Sequence, residues 1–208
     1  MINDNQANIQ NSVNSNETVF WETRNDNLTG SYNYTENAYP RSTPINSYEV
    51  LTINYYDTYG FDSNTPYVQR LENPASNSPM TNGLLTGSKV KVIDSNIWLT
   101  TVTYYDDKGK PLQVSSSNIL GTWDKMTSKY DFIGKVIKSE RIHANNSLTI
   151  TNHYIYDHAG RKKEVYQQMN SEPEVELAEY NYNELGQLVK KNLHGNTSSH
   201  LQLSLIHI

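Results

Sequence analysis

The sequence predicts an all-β chain built from tandem β-hairpins, and three observations predict it. Sixteen tyrosines stand against three phenylalanines, so most rings carry a hydroxyl, as suits strands with one face or rim in water. Stretches such as VLTINY (Val50 to Tyr55) and LTTVTY (Leu99 to Tyr104) alternate β-branched and aromatic residues with polar ones. A pentapeptide, Tyr-[Asp/Asn]-x-x-Gly, recurs between such stretches. Its copies are Tyr56, Asp57 and Gly60; Tyr105, Asp106 and Gly109; Tyr130, Asp131 and Gly134; Tyr156, Asp157 and Gly160; and Tyr182, Asn183 and Gly186. The last four start 25, 26 and 26 residues apart, and the first lies 49 before the second, which reads as two periods with one copy missing or degenerate.

Taken in order, the chain opens on an Asn-, Gln- and Ser-rich tract. Residues 1–45 hold few large apolar side chains to offset the entropy of ordering, so this segment reads as partly disordered, with a possible hairpin from Phe20-Trp21 and Leu28 to Pro40. Residues 46–202 form the repeat region. In each copy the Asp or Asn side chain can bond backbone N–H groups ahead of it, and Gly closes the turn where φ is positive. The preceding Tyr is expected to clamp its own hairpin by packing across the strand pair. After each turn KPLQV, KVIKS, RKKEV and QLVKK return as mixed apolar and basic strands. Between the last two copies a second turn falls at Asn170 to Pro173, so each period holds two turns. Asp62 to Gly83, rich in Pro and Asn, sits where a copy is missing and reads as a long surface loop, an irregular stretch at about 62–83. Residues 203–208 end the chain on an apolar run that completes no pattern, read as non-native or truncated sequence, or as the opening of another strand.

Composition removes several function classes. A net charge of -5 leaves no basic stripe to neutralise phosphates, so nucleic acid is not an expected partner. Without cysteine there is no disulfide scaffold, thiol nucleophile or Cys-based zinc site. The first residues lack the basic start and apolar stretch of a signal peptide, and no run reaches the ~18 apolar residues that span a bilayer. The chain therefore reads as cytosolic or as a piece of something longer, and its end favours the piece. A glycosidase-like pair could be sought in Asp106-Asp107 or in Glu172, Glu174 and Glu176, but adjacent turn acids diverge and alternating strand acids line a solvated edge. His153 and His158 flank one turn without a ligand pattern, while His143, His194 and His200 are scattered. No nucleophile elbow or phosphate loop follows a strand. The chain is expected to be no enzyme and to need no cofactor. Exposed Tyr, Asn, Trp98 and Trp123 are chemically suited to stacking on sugars, which keeps an adhesin or carbohydrate-binding module as the alternative.

A unit of ~25 residues with one hairpin cannot bury its apolar face alone, so successive hairpins are expected to join edge to edge. Tyr-Asp repeats of this length resemble the YD or RHS repeats of large bacterial surface and toxin proteins, related to teneurins and toxin-complex shells. VLTINYYDTYGF, NGLLTGSKVKV, WLTTVTYYDDKGK, KYDFIGKV, YIYDHAGR and YNELGQLV resemble the Bacteroidetes branch, over Val50 to His194. The resemblance implies a β-sheet spiralling into a hollow shell that can enclose a C-terminal toxin or effector domain, on a secreted or cell-surface protein. Its implied partners are other repeats and the C-terminal domain of the same protein, with surface carbohydrate as a further one. The family's core-ending motif has no match in residues 187–208, so neither self-cleavage nor toxicity carries over, and the chain reads as an internal fragment of the wall.

Overall fold

The computed structural model describes residues 6–8, 10–11, 19, 21–25, 32–35, 49–62, 65–144 and 146–194, and the strand path of 201–204. It is all-β apart from short helical pieces at 6–8 and 10–11. The strands are β1 (Thr52–Tyr56), β2 (Leu85–Lys91), β3 (Trp98–Tyr105), β4 (Pro111–Ser117), β5 (Trp123–Tyr130) and β6 (Val136–His143). They continue as β7 (Leu148–Tyr156), β8 (Lys162–Met169), β9 (Val175–Tyr182), β10 (Leu188–Leu193) and β11 (Leu201–Ser204). All eleven lie in one antiparallel sheet in sequence order, a meander in which every strand pairs with its chain neighbours and the ends do not meet. Short turns between β-rich stretches leave no other pairing as near along the chain. Among the described residues no helix is long and apolar enough to cross a membrane.

Each motif hairpin carries the same irregularity at the same place. Opposite the motif tyrosine the register slips by one residue, so that Tyr105 faces Pro111 while Tyr104 faces Gln113, and Leu112 is the extra residue. The equivalents are Ile137, Lys163 and Val189. A bulge adds local right-handed twist, and one per hairpin adds it at a fixed interval.

The first hairpin corrects the repeat count. Its extra residue is Thr86, three positions after Gly83, as Leu112 is three after Gly109. Asp57 N–H donates to Leu84 O at 3.1 Å, as Asp106 N–H donates to Lys110 O at 2.9 Å. Gly83 has φ 76, whereas Gly60 is not among the left-handed glycines. The closing glycine of this copy is therefore Gly83, and residues 58–82 hold an insertion inside its turn. The 49-residue interval is one period plus that insertion, with no degenerate copy in it. Spacing alone could not separate the two readings, because the insertion is nearly as long as a period.

The insertion is an irregular surface segment, and it is laid across the sheet as a strap. Thr65, Asn73, Ser78 and Thr81 are buried. The Tyr104 hydroxyl donates to Thr65 O. On β4 the Gln113 amide exchanges two bonds with the strap backbone, accepting from Val68 N at 3.2 Å and donating to Val68 O at 3.0 Å. Asn73 Nδ2 donates to Ser128 O on β5 at 2.9 Å, and Arg70 grips Glu140 on β6 with two nitrogens. The strap bends at Leu71 and Glu72, both in the left-handed region at φ 53 and 57.

The core lies beneath this strap. Tyr55, Val102, Ile53, Tyr104 and the strap's Phe61 are its buried members, with Tyr34, Val50, Tyr59, Tyr67 and Trp98 packed around them. Phe61 stacks on Tyr55 at 4.2 Å and lies over Gly87, where a Cβ would meet the ring at 2.0 Å. Burying such a ring contributes about 1.5–3 kcal/mol. In the N-terminal tract, Arg24 and Tyr34 form one antiparallel bridge. The Tyr34 hydroxyl donates to Asn54 O at 2.5 Å and Arg24 donates to Tyr56 O at 2.6 Å, so side chains cover carbonyls of β1. The rest of the expectation for residues 1–45, and residues 205–208, lie outside the described residues; Leu203 and Ser204 belong to β11, paired with β10.

Candidate functional site

Chemistry that recurs in every unit is concentrated at the motif turns. Asp106 Oδ1 accepts the N–H groups of Lys108 and Lys110, each at 2.8 Å. Asp131 accepts from Lys135 at 2.7 Å, Asp157 from Arg161 at 2.8 Å and Asn183 from Gln187 at 2.9 Å. Asn serves as well as Asp because only a carbonyl-type oxygen is required. Gly109, Gly134, Gly160 and Gly186 have φ between 73 and 94, which an L side chain adopts only with strain. At Asp157 burial acts upward on the carboxyl, but bonds from Arg161 outweigh it and hold the group below its ordinary range.

In four copies the hydroxyl of the motif tyrosine joins its hairpin to the one before. Tyr105 hydroxyl donates to Leu85 O at 2.7 Å, Tyr130 to Pro111 O at 2.9 Å, Tyr156 to Val136 O at 2.7 Å and Tyr182 to Lys162 O at 2.8 Å. In each case the acceptor is the residue just before the bulged one. A bulge disrupts the ladder locally, and the phenol of the next unit supplies a donor there. In three copies the residue after the glycine completes the joint. Lys110 lies over the Tyr130 ring at 5.6 Å, Lys135 over Tyr156 at 5.4 Å and Arg161 over Tyr182 at 4.4 Å. The next unit's glycine makes room for it, since a Cβ on Gly134 would meet Lys110 Nζ at 1.8 Å and one on Gly160 would meet Lys135 Nζ at 1.7 Å. In three of the five copies the working pattern is therefore Tyr-[Asp/Asn]-x-x-Gly-[Lys/Arg], read between units.

The remaining candidates separate. Tyr56 is half exposed, and Asp57 Oδ1 accepts from Gly83 N at 2.6 Å. Asp106 is occupied in its turn while Asp107 is exposed at the tip. His143 lies 2.8 Å from Asp124 and His153 3.7 Å from Glu174. Among the described residues no three His, Asp or Glu side chains are grouped to hold a metal ion. Trp98 packs at the core margin, 5.3 Å from Tyr32.

Two features went unread in the sequence. The basic residue after Gly was visible in three copies, but as part of a return strand rather than as half of a joint. Asn118 to Gly121 builds the same turn on the opposite rim, with Asn118 Oδ1 accepting from Leu120 at 3.0 Å and Thr122 at 3.1 Å. Asn-x-x-Gly was its signal, midway between Gly109 and Gly134, and the missing tyrosine hid it. No family model matches this chain, and no curated protein matches it.

Proposed function

We propose that the chain is a structural YD-repeat segment of a large RHS-type secreted or cell-surface protein, part of the wall of a β-shell that encloses a C-terminal effector domain. The observation that carries this reading is the joint itself: one bulge and one tyrosine hydroxyl at each of the four boundaries reached by Tyr105, Tyr130, Tyr156 and Tyr182, with a cation over the ring at the last three. Such a device sets the angle between each unit and the next, which is what a continuously coiling wall needs. The meander does not close on itself, a topology that further hairpins can extend. Four of the recurring tyrosine hydroxyls are engaged in joints, which weighs against a glycan platform built from them. The test is to recover the reading frame on both sides, express the full protein and image it by electron microscopy. A hollow particle with a closed β wall supports the proposal; an elongated rod or a free-standing small β protein that binds glycans saturably overturns it.

A further inference from the structure

Like charges directly opposite one another across a strand pair repel, and the strap face holds two such pairs. Lys129 on β5 stands opposite Lys138 on β6. There the strap supplies the counter-charge: Glu72 pairs with Lys129, and its carboxyl is held below the ordinary range by Lys129 first and by Lys138 beyond it. Next to this pair, Arg70 of the same strap neutralises the buried Glu140.

Two strands further on, the second pair is acidic. Glu164 on β8 stands opposite Glu179 on β9, and Glu176 stands opposite Tyr166 in the next row of the same face. The register carries the strap face across to them, from Glu140 to Thr151 to Gln168 and from Lys138 to His153 to Tyr166. Lys163 lies 3.0 Å from Glu164, and His153 faces Glu174 at 3.7 Å. Among the described residues no ion pair reaches Glu176 or Glu179, although Lys163 beside Glu164 also acts on Glu179 from further away. Burial, then the neighbouring Glu179 and Glu164, push the Glu176 carboxyl above its ordinary range. Among the described residues the strap's tip, at Arg70 to Glu72, makes its ion pairs with β5 and β6, at Lys129 and Glu140.

A second feature beside the acids asks for a donor. Asn192 on β10 is 1% exposed and gives Nδ2 to Glu179 Oε2 at 2.8 Å, and among the described residues its Oδ1 has no hydrogen-bond partner. Under the strap the buried amide of Gln113 has its oxygen satisfied by a backbone N–H of the crossing segment.

We infer that the acidic face of β8 and β9 is the seat of a second strap: an extended polypeptide segment carrying arginine or lysine at alternate positions. Alternate side chains of an extended chain lie about 7 Å apart, and so do successive rows on one face of a sheet, so such a segment sets a cation at each acidic row. The inference is independent of whether the sheet belongs to a closed shell.

The test uses the whole chain and two synthetic peptides of about twelve residues, alternating Arg-Ser and alternating Glu-Ser, measured by fluorescence anisotropy at low and high salt. The Arg-Ser peptide should bind saturably and weaken with salt, and the Glu-Ser peptide should not bind. Glu176→Gln/Glu179→Gln should weaken binding by about tenfold or more, while the free protein unfolds at the same or a higher denaturant concentration because a repulsion is relieved. Glu184→Gln, at an exposed turn tip, should leave binding unchanged. Absence of Arg-Ser binding, equal binding of both peptides, or undiminished binding to the double variant would overturn the inference.

Discussion

Replacing the motif tyrosines by phenylalanine one at a time isolates the joint, because the ring and its cation stay and only the hydroxyl bond goes. A net intramolecular hydrogen bond contributes about 1 kcal/mol, and more when the orphaned acceptor is shut off from water. The Leu85 and Val136 carbonyls, acceptors for Tyr105 and Tyr156, sit in half-buried bonds, whereas those of Tyr130 and Tyr182 are open to solvent. Tyr105→Phe and Tyr156→Phe should therefore cost about 1–1.5 kcal/mol, and Tyr130→Phe and Tyr182→Phe about 0.5 kcal/mol. In a domain of this size about 1 kcal/mol lowers Tm by roughly 2–4 °C. Tyr56→Phe is the control, since no hydrogen bond is made by that hydroxyl among the described residues and the ring is 45% exposed. The assay is urea unfolding followed by far-UV circular dichroism, with thermal melts alongside. If Tyr56→Phe costs as much as Tyr156→Phe, or if all four joint variants match the parent, the hydroxyl bond is not what joins the units.

Other outcomes follow from the strap and the turns. Deleting residues 59–81 joins Thr58 to Asn82 and leaves Tyr-Asp-Thr-Asn-Gly, a regular copy; β1 and β2 should keep their register by NMR while dye binding reports the uncovered Tyr55, Val102 and Tyr104, and a lost β1–β2 pairing would contradict the insertion reading. Arg70→Ala should cost about 1–3 kcal/mol in denaturant unfolding, because Glu140 is left buried and unpaired, discounted because a third of Arg70 is in water; Arg70→Ala/Glu140→Gln should recover part of the loss. Gly83→Ala should destabilise by about 1 kcal/mol through its left-handed φ whereas Gly60→Ala should be near neutral, the reverse of what the pentapeptide alone implies. Burial pushes Tyr59 and Tyr104 up to about 12. Their protonated forms are favoured by folding, so this stability is intact below about pH 10, the unfolded value. It should drain away between there and about pH 12, visible as a falling denaturation midpoint in an alkaline titration.

What was legible in the sequence was local, and what was not was contact between segments far apart in the chain. Asp157 and Gly160 announce a turn because both requirements, an oxygen for backbone N–H groups and a left-handed closing residue, are met within five residues. The all-β class follows from the same short range, since alternating stretches separated by such turns have only their neighbours to pair with. The joint lies one step beyond. Tyr156 meets Val136 and Lys135 across about twenty residues, and periodicity names the tyrosine without naming its partner.

The strap lies further out. Proline and asparagine in residues 62–83 correctly argue against a strand, because they remove ladder donors and favour turns, but the same composition serves a solvent loop and a segment laid over a sheet. What decides between them is on the sheet: Gln113 and Glu140, polar residues at inward positions, which make physical sense only if something crosses above them with a backbone amide and a cation. A buried polar residue on a predicted strand is thus a statement about an unseen partner. Gln113 and Glu140 find theirs in the strap, and the facing carboxylates Glu164 and Glu179, with Glu176 beside them, make the other end of the sheet the place to look for another.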